Sequence, residues 1–243
     1  MRPLVSTQAI EPLQMPNALC REEATVYTEA VPDQSGSQSK GGRPWSFDRE
    51  HALEAAMLLF WERGFASVSI ADLTAAMAIR PASLYAAFGS KADLYRSART
   101  RYFEREEPLW RVPTGGPLRA AIDDFFDLAV KVVTRPGRPR GCMIASGFIE
   151  FALDEHDLAV ETRAHRDRAR QELLQLLNAG LAAGELEPEA DPDILARFLA
   201  TVAEGLSIQA RDGATMCELQ AVGRAAAAGL PWTPTGTEAS EGC

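Results

Sequence analysis

The sequence is poor in the residues that usually announce chemistry. Its four cysteines, Cys20, Cys142, Cys217 and Cys243, lie far apart with no C-x-x-C pair. That spacing indicates neither a zinc knuckle nor a disulfide framework and points to a reducing compartment. The three histidines, His51, His156 and His165, are just as dispersed. Glu161 and His165 stand at i, i+4, but they read as surface residues, so no metal site is expected. No apolar run approaches the roughly 18 residues of a membrane span. The opening stretch MRPLVSTQAIEPLQMPNALC lacks the continuous apolar segment of a signal peptide. The expectation is a cytoplasmic protein with no membrane partner. A nucleophile–base pattern, a Gly-rich phosphate loop and clustered carboxylates are all missing, so neither an enzyme nor a cofactor is expected.

What is there is an ordinary globular composition, 46% hydrophobic and 24% charged over 243 residues. Taken as an average, the net charge of −9 argues against a polyanionic partner, but the average misleads. Residues 1–40 carry −2, residues 41–105 carry +2 and residues 106–243 carry −9. Any contact with nucleic acid is therefore local to the middle segment.

Residues 1–40 mix Pro, Gln, Ser, Glu and Gly without periodicity and read as a flexible arm. From Phe47 the pattern is helical. Leu53, Ala56, Met57 and Phe60 make one apolar face, and Gly64 ends that helix. Ser69 with Asp72 resembles a capping box and opens a short second helix ending near Met77. Pro81 suits the first position of a third helix, which closes on Phe88 and Gly89. Ser90 caps a fourth, which Pro108 is expected to terminate. Two short helices about three residues apart form a helix-turn-helix, with Leu73, Met77, Ile79, Leu84 and Phe88 beneath it. The brevity of the third matches a major groove about 12 Å wide. Further helices are expected near 117–133, 141–153, 157–183, 191–211 and 215–229, with no strand. The fold class is all-α: a helix-turn-helix domain at 41–105, a helical domain at 106–230 and a disordered tail at 231–243.

The run Phe47–Phe103 resembles the DNA-binding domain of TetR/AcrR-family transcriptional regulators. Helix one closes on ERGF, the second helix is serine-capped, and SLY, Phe88 and SK.DLY follow in the family's order and spacing. For the remainder the resemblance implies only a helical ligand-binding and dimerisation domain. It also implies roles. Ser69 and Lys91 match residues that meet phosphates, and Tyr85 matches a tyrosine that touches the DNA backbone or a base edge. Arg80, Pro81, Ala86 and Ala87 depart from the family's usual residues. With Ala82 and Ser83 they leave less to hydrogen-bonded readout and more to alanine contacts with thymine methyls and to DNA shape.

The residues support parts of this independently. Leu84 and Phe88 occupy the inward i, i+4 positions, so Tyr85 faces out. Lys91 lies in the first turn of a helix, where a cation is mildly unfavourable and a phosphate partner explains it. Arg43 is open to two readings, linker charge or a basic arm reaching the minor groove. On the apolar stretch 141–153, Cys142, Ser146 and Glu150 recur every fourth residue. They form either a polar stripe lining a ligand cavity or an internal pairing of Glu150 with an arginine, with Cys142 a small buried hydrophobe. Leu195, Phe198, Leu199, Val202 and Leu206, with Gly223 and Ala227 on the last helix, read as a dimer surface or as packing within one chain.

The function expected is a homodimeric regulator of a palindromic operator in double-stranded DNA, most simply a repressor released by a small molecule. The alternative is a small-molecule- or redox-sensing protein, with its thiol at Cys142 and weak DNA specificity.

Overall fold

Several helices begin where the sequence supplies a side-chain cap. Asp48 Oδ1 accepts the N–H groups of Glu50 and His51 at 2.9 and 3.1 Å and opens α1, Arg49–Arg63. Ser69 opens α2, Ile70–Ala76, and Pro81 is the first residue of α3, Pro81–Phe88. Ser90 Oγ accepts the Asp93 N–H at 3.1 Å and opens α4, Lys91–Trp110. Asp191 and Pro192 open α7, Pro192–Arg211, and Thr215 with Glu218 forms a capping box at the start of α8, Met216–Ala228. Such caps satisfy backbone donors that a helix end leaves unpaired, typically about 1 kcal/mol each.

This computed structural model describes residues 47–110, 112, 115–145, 147, 152 and 155–234. Among them are eight helices and a single isolated antiparallel bridge, Leu186 with Trp232, so the fold is all-α as expected. The arm at 1–40 and Arg43 lie outside the described residues.

The turn between α2 and α3 has no glycine, yet it closes as glycine-terminated helices do. Ala78 takes φ +54°, its N–H bonds to Ala75 O at 3.2 Å, and Ile79 N–H bonds to Thr74 O at 3.1 Å. This is a Schellman closure with alanine at the left-handed position. Leu73, Met77, Leu84 and Phe88 are buried beneath the two short helices with Met57, Phe60 and Leu94 from α1 and α4. Burial of each large side chain contributes about 1.5–3 kcal/mol, which is how helices this short are held.

α5, Leu118–Val133, packs against α8, Met216–Ala228, and α6, His156–Ala182, packs against α7, Pro192–Arg211. Three expectations need correction. The fourth helix runs to Trp110, past Pro108 and through the expected boundary at 105. Proline removes a donor and crowds the turn before it, but its own φ is helical and the chain can continue. Residues 143–145 and 147 form turns rather than part of a helix. Residues 231–234 are not a loose tail, because Trp232 Nε1 donates to Ala227 O at 2.9 Å and Arg119 lies 4.2 Å from its ring.

Candidate nucleic-acid interface

Among the described residues nothing covers the outer face of α3. Arg80, Pro81, Ala82 and Ala86 are exposed, Ser83 is half-buried, and Tyr85 is 52% exposed while Leu84 and Phe88 are buried on the opposite side. Eight residues span about 12 Å, the width of a major groove. Charge accounting favours the same face. Arg96 and Arg99 are held by Glu161 at 3.0 and 2.5 Å, and Arg101 by Glu50 and Glu54 at 2.8 and 3.2 Å. Arg80 has no carboxylate partner among the described residues, so its charge is available to a phosphate.

Lys91 stands at the first position of α4, with Nζ 4.1 Å from the centroid of the Phe65 ring. Burial lowers its pKa, and the negative charge of Glu155 opposes that shift. Ser69 is less available than the sequence suggests. Its hydroxyl donates to Asp72 Oδ2 at 2.5 Å and accepts the Asp72 N–H at 3.1 Å. Ser90 and Asp93 repeat this arrangement, so both serines already cap their own helices.

A second feature lies between α4, α5, α6 and α7. Tyr102, Phe103, Phe125, Leu173 and Ala203 are among the walls of a cavity of about 90 Å³, into which Cys142, His165, Arg166 and Glu204 also face. Cys142 is buried, and its sulfur accepts from Tyr102 O–H at 3.2 Å and from the N–H groups of Ile144 and Ala145 at 3.3 and 3.4 Å. Burial pushes the thiol pKa up, and these donors only partly offset it. A protonated, buried thiol is a poor nucleophile, so the geometry does not favour the thiol-sensing alternative. Of the proposed stripe only Cys142 is in view; Ser146 and Glu150 lie outside the described residues. Sequence reasoning missed His165, Arg166 and Glu204 as cavity residues, since no local pattern links α6 to α7.

The cavity is tied to the DNA-binding half. Gly141, next to Cys142, accepts the Trp61 indole N–H at 3.1 Å, and Arg211 at the end of α7 donates to Trp61 O. Arg138 in the same loop pairs with Glu54 of α1 at 2.8 Å.

The dimer reading is corrected in part. Leu199 is 0% exposed, Leu206 and Ala227 are buried, and a Cβ at Gly223 would come within 2.8 Å of Phe126 Cβ in the same chain. These residues serve the chain's own core. Phe198 is 42% exposed, Leu195 and Val202 are half-buried, and Ile194, Val222 and Met216 are exposed as well.

Two family descriptions match the chain: "Bacterial regulatory proteins, tetR family" over residues 52–98, and "Tetracyclin repressor-like, C-terminal domain" over residues 118–225. The chain is 33% identical over 186 residues to the HTH-type transcriptional repressor ComR of Escherichia coli K12, covering 74% of this chain and 88% of that protein. The chain belongs to the TetR family. It is also 31% identical to the E. coli repressor BdcR over 180 residues, covering 73% of this chain and 86% of the relative. A cysteine-substituted variant of the TetR-family regulator CifR, solved with 26 bp of double-strand operator DNA, matches with a TM-score of 0.72 at 35% identity, covering 78% of this chain and all of that one. The protein is thus a TetR-family DNA-binding transcriptional regulator, and α2–α3 is its helix-turn-helix. Among the described residues no helix is long and apolar enough to cross a membrane, and no group of three or more His, Cys, Asp or Glu residues is placed to hold a metal.

Proposed function

We propose that this TetR-family protein is a cytoplasmic homodimeric repressor that binds a palindromic operator through two copies of α3 and releases it when a small molecule enters the cavity. The tie between cavity and DNA-binding half carries this reading: Cys142 lines the cavity, and its neighbour Gly141 accepts the Trp61 hydrogen bond. A ligand that reshapes the 141–145 turn acts on α1 through one peptide. It shifts operator affinity to the extent that it binds the two arrangements unequally.

In the dimer, two copies of α3 about 34 Å apart enter successive major grooves. Tyr85 and the alanines of α3 meet bases and sugar–phosphate, while Arg80 and Lys91 meet phosphates. The amide groups at the start of α2 contribute beside Ser69, and Arg43 approaches the duplex from the arm. Exposed Phe198, Ile194 and Val222 support a two-fold surface made by α7 and α8.

Binding of the purified protein to DNA flanking its own coding sequence tests this, with random DNA of equal length as competitor. The expected result is a preference for one palindrome that survives added salt. Equal affinity for both DNAs over the whole salt range excludes operator recognition.

A further inference from the structure

The cavity between α4, α5, α6 and α7 carries a clue to the chemistry of its ligand, resting on the reading that it is the effector site. Glu204 on α7 and Arg166 on α6 both line it. They are within electrostatic reach, yet no ion pair joins them, and the Glu204 carboxylate makes no hydrogen bond or ion pair among the described residues. Burial raises the Glu204 pKa, and the charge of Arg166 opposes that rise. Arg166 is differently placed, with Nη1 donating to Ile144 O and Gly147 O at 3.0 and 2.8 Å. A half-buried acceptor in a mostly apolar cavity, with no donor among the described residues, is a position for a ligand group.

The surrounding charges restrict that group. A carboxylate would meet Glu204. An ammonium would meet the Arg166 guanidinium, and burial, then the charges of Arg99 and Arg168 against that of Glu161, hold the neighbouring His165 pKa at about 4. His165, uncharged at neutral pH, adds no compensating cation. A neutral donor has neither penalty. Size restricts the body. At about 90 Å³ the space is smaller than the roughly 150 Å³ engineered cavity that accepts benzene. The aromatic and aliphatic walls favour a short apolar chain.

We infer that the cavity takes a small neutral molecule, a primary alcohol or amide of on the order of five non-hydrogen atoms, whose hydroxyl or amide N–H donates to Glu204. The Arg166 guanidinium lines the same cavity.

Four probes of matched length test this on the full-length, DNA-free protein by methyl NMR: 1-butanol, butyramide, butyrate and butylammonium. Butanol and butyramide should give saturable shifts at residues around the cavity, and the two ions should give none. Glu204→Leu should weaken the neutral probes about tenfold or more, the loss expected when a hydrogen bond to a charged group disappears. Glu204→Gln guards against simple misfolding. It keeps an acceptor and removes the negative charge, so butyrate should now bind beside Arg166, a gain that damage to the fold cannot produce. Ions binding as well as neutral probes, unaltered binding in Glu204→Leu, or no saturable shift with any probe up to about 10 mM would each overturn the assignment. DNA release is measured separately. Neutral probes that bind without loosening DNA sink the effector reading and leave the site standing.

Discussion

The indole N–H of Trp61 on α1 donates to the carbonyl of Gly141 at 3.1 Å, joining residues 80 positions apart. Gly141 has φ +81°, and a Cβ there would lie 2.8 Å from Ser207 O. The loop is thus pressed onto α7 on one side and bonded to α1 on the other. Cys142 N–H extends the clasp by donating to Ser207 Oγ at 2.7 Å.

Trp61→Phe removes the donor while preserving an aromatic ring against Tyr102, whose centroid is 5.0 Å from that of Trp61. The buried Gly141 carbonyl then loses its partner, at a cost of about 1–3 kcal/mol. Thermal unfolding should report this loss, and operator affinity without effector should change little while effector-driven release weakens. A variant that is destabilised but released normally shows that the signal travels another way.

Lys91→Ala should weaken binding to every DNA sequence alike and make the salt slope shallower by about one unit. Fluorescence anisotropy across a salt series measures both quantities. A changed base preference would reassign Lys91 from phosphate to base.

Phe198→Glu and Leu199→Glu, adjacent on α7, should behave differently. Phe198 is exposed and Leu199 is fully buried. The first should give a folded monomer by sedimentation, with helical circular dichroism preserved. The second should unfold the chain, because a buried unpaired carboxylate costs several kcal/mol. A dimeric Phe198→Glu protein places the two-fold contact elsewhere.

His165 predicts a pH dependence. Burial first, then the charges of Arg99 and Arg168, lower its pKa to about 4 from an ordinary value of 6.5. Between these values the unfolded chain binds a proton that the folded protein refuses. The stability associated with neutral His165 is therefore complete above about pH 6.5 and declines as pH falls toward 4. His165→Gln should flatten the melting temperature across that window, and an unchanged slope would reject the assignment.

Ala78→Gly should raise stability by up to about 1 kcal/mol, since alanine at φ +54° carries a left-handed penalty that glycine avoids. Chemical denaturation decides it, and a loss of stability would mean that the entropic cost of glycine dominates.

Much of the helix-turn-helix was legible because its signals are local. Ser69 and Ser90 cap helices within three residues of themselves, Pro81 fits a first turn, and Leu84 with Phe88 orients α3 whatever lies beyond. Asp191–Pro192 marked the start of α7 for the same reason. Tyr85 followed by elimination, since the inward positions of α3 were already taken.

Tertiary structure alone decided the rest. An apolar residue on a helix must be covered, but periodicity does not say whether its own chain or a second copy covers it. Phe126 therefore claims Gly223, and the chain's own core claims Leu199, where a dimer surface was equally consistent with the pattern. From Gly141 the four-residue spacing of Cys142, Ser146 and Glu150 suggests a helix, but residues 143–145 form turns. Backbone groups there are satisfied instead by Trp61, Ser207 and the Cys142 sulfur, and two of these partners are distant in the chain. The cavity beneath it exists only where four helices converge, so the opposition of Arg166 and Glu204 leaves no trace in either local sequence.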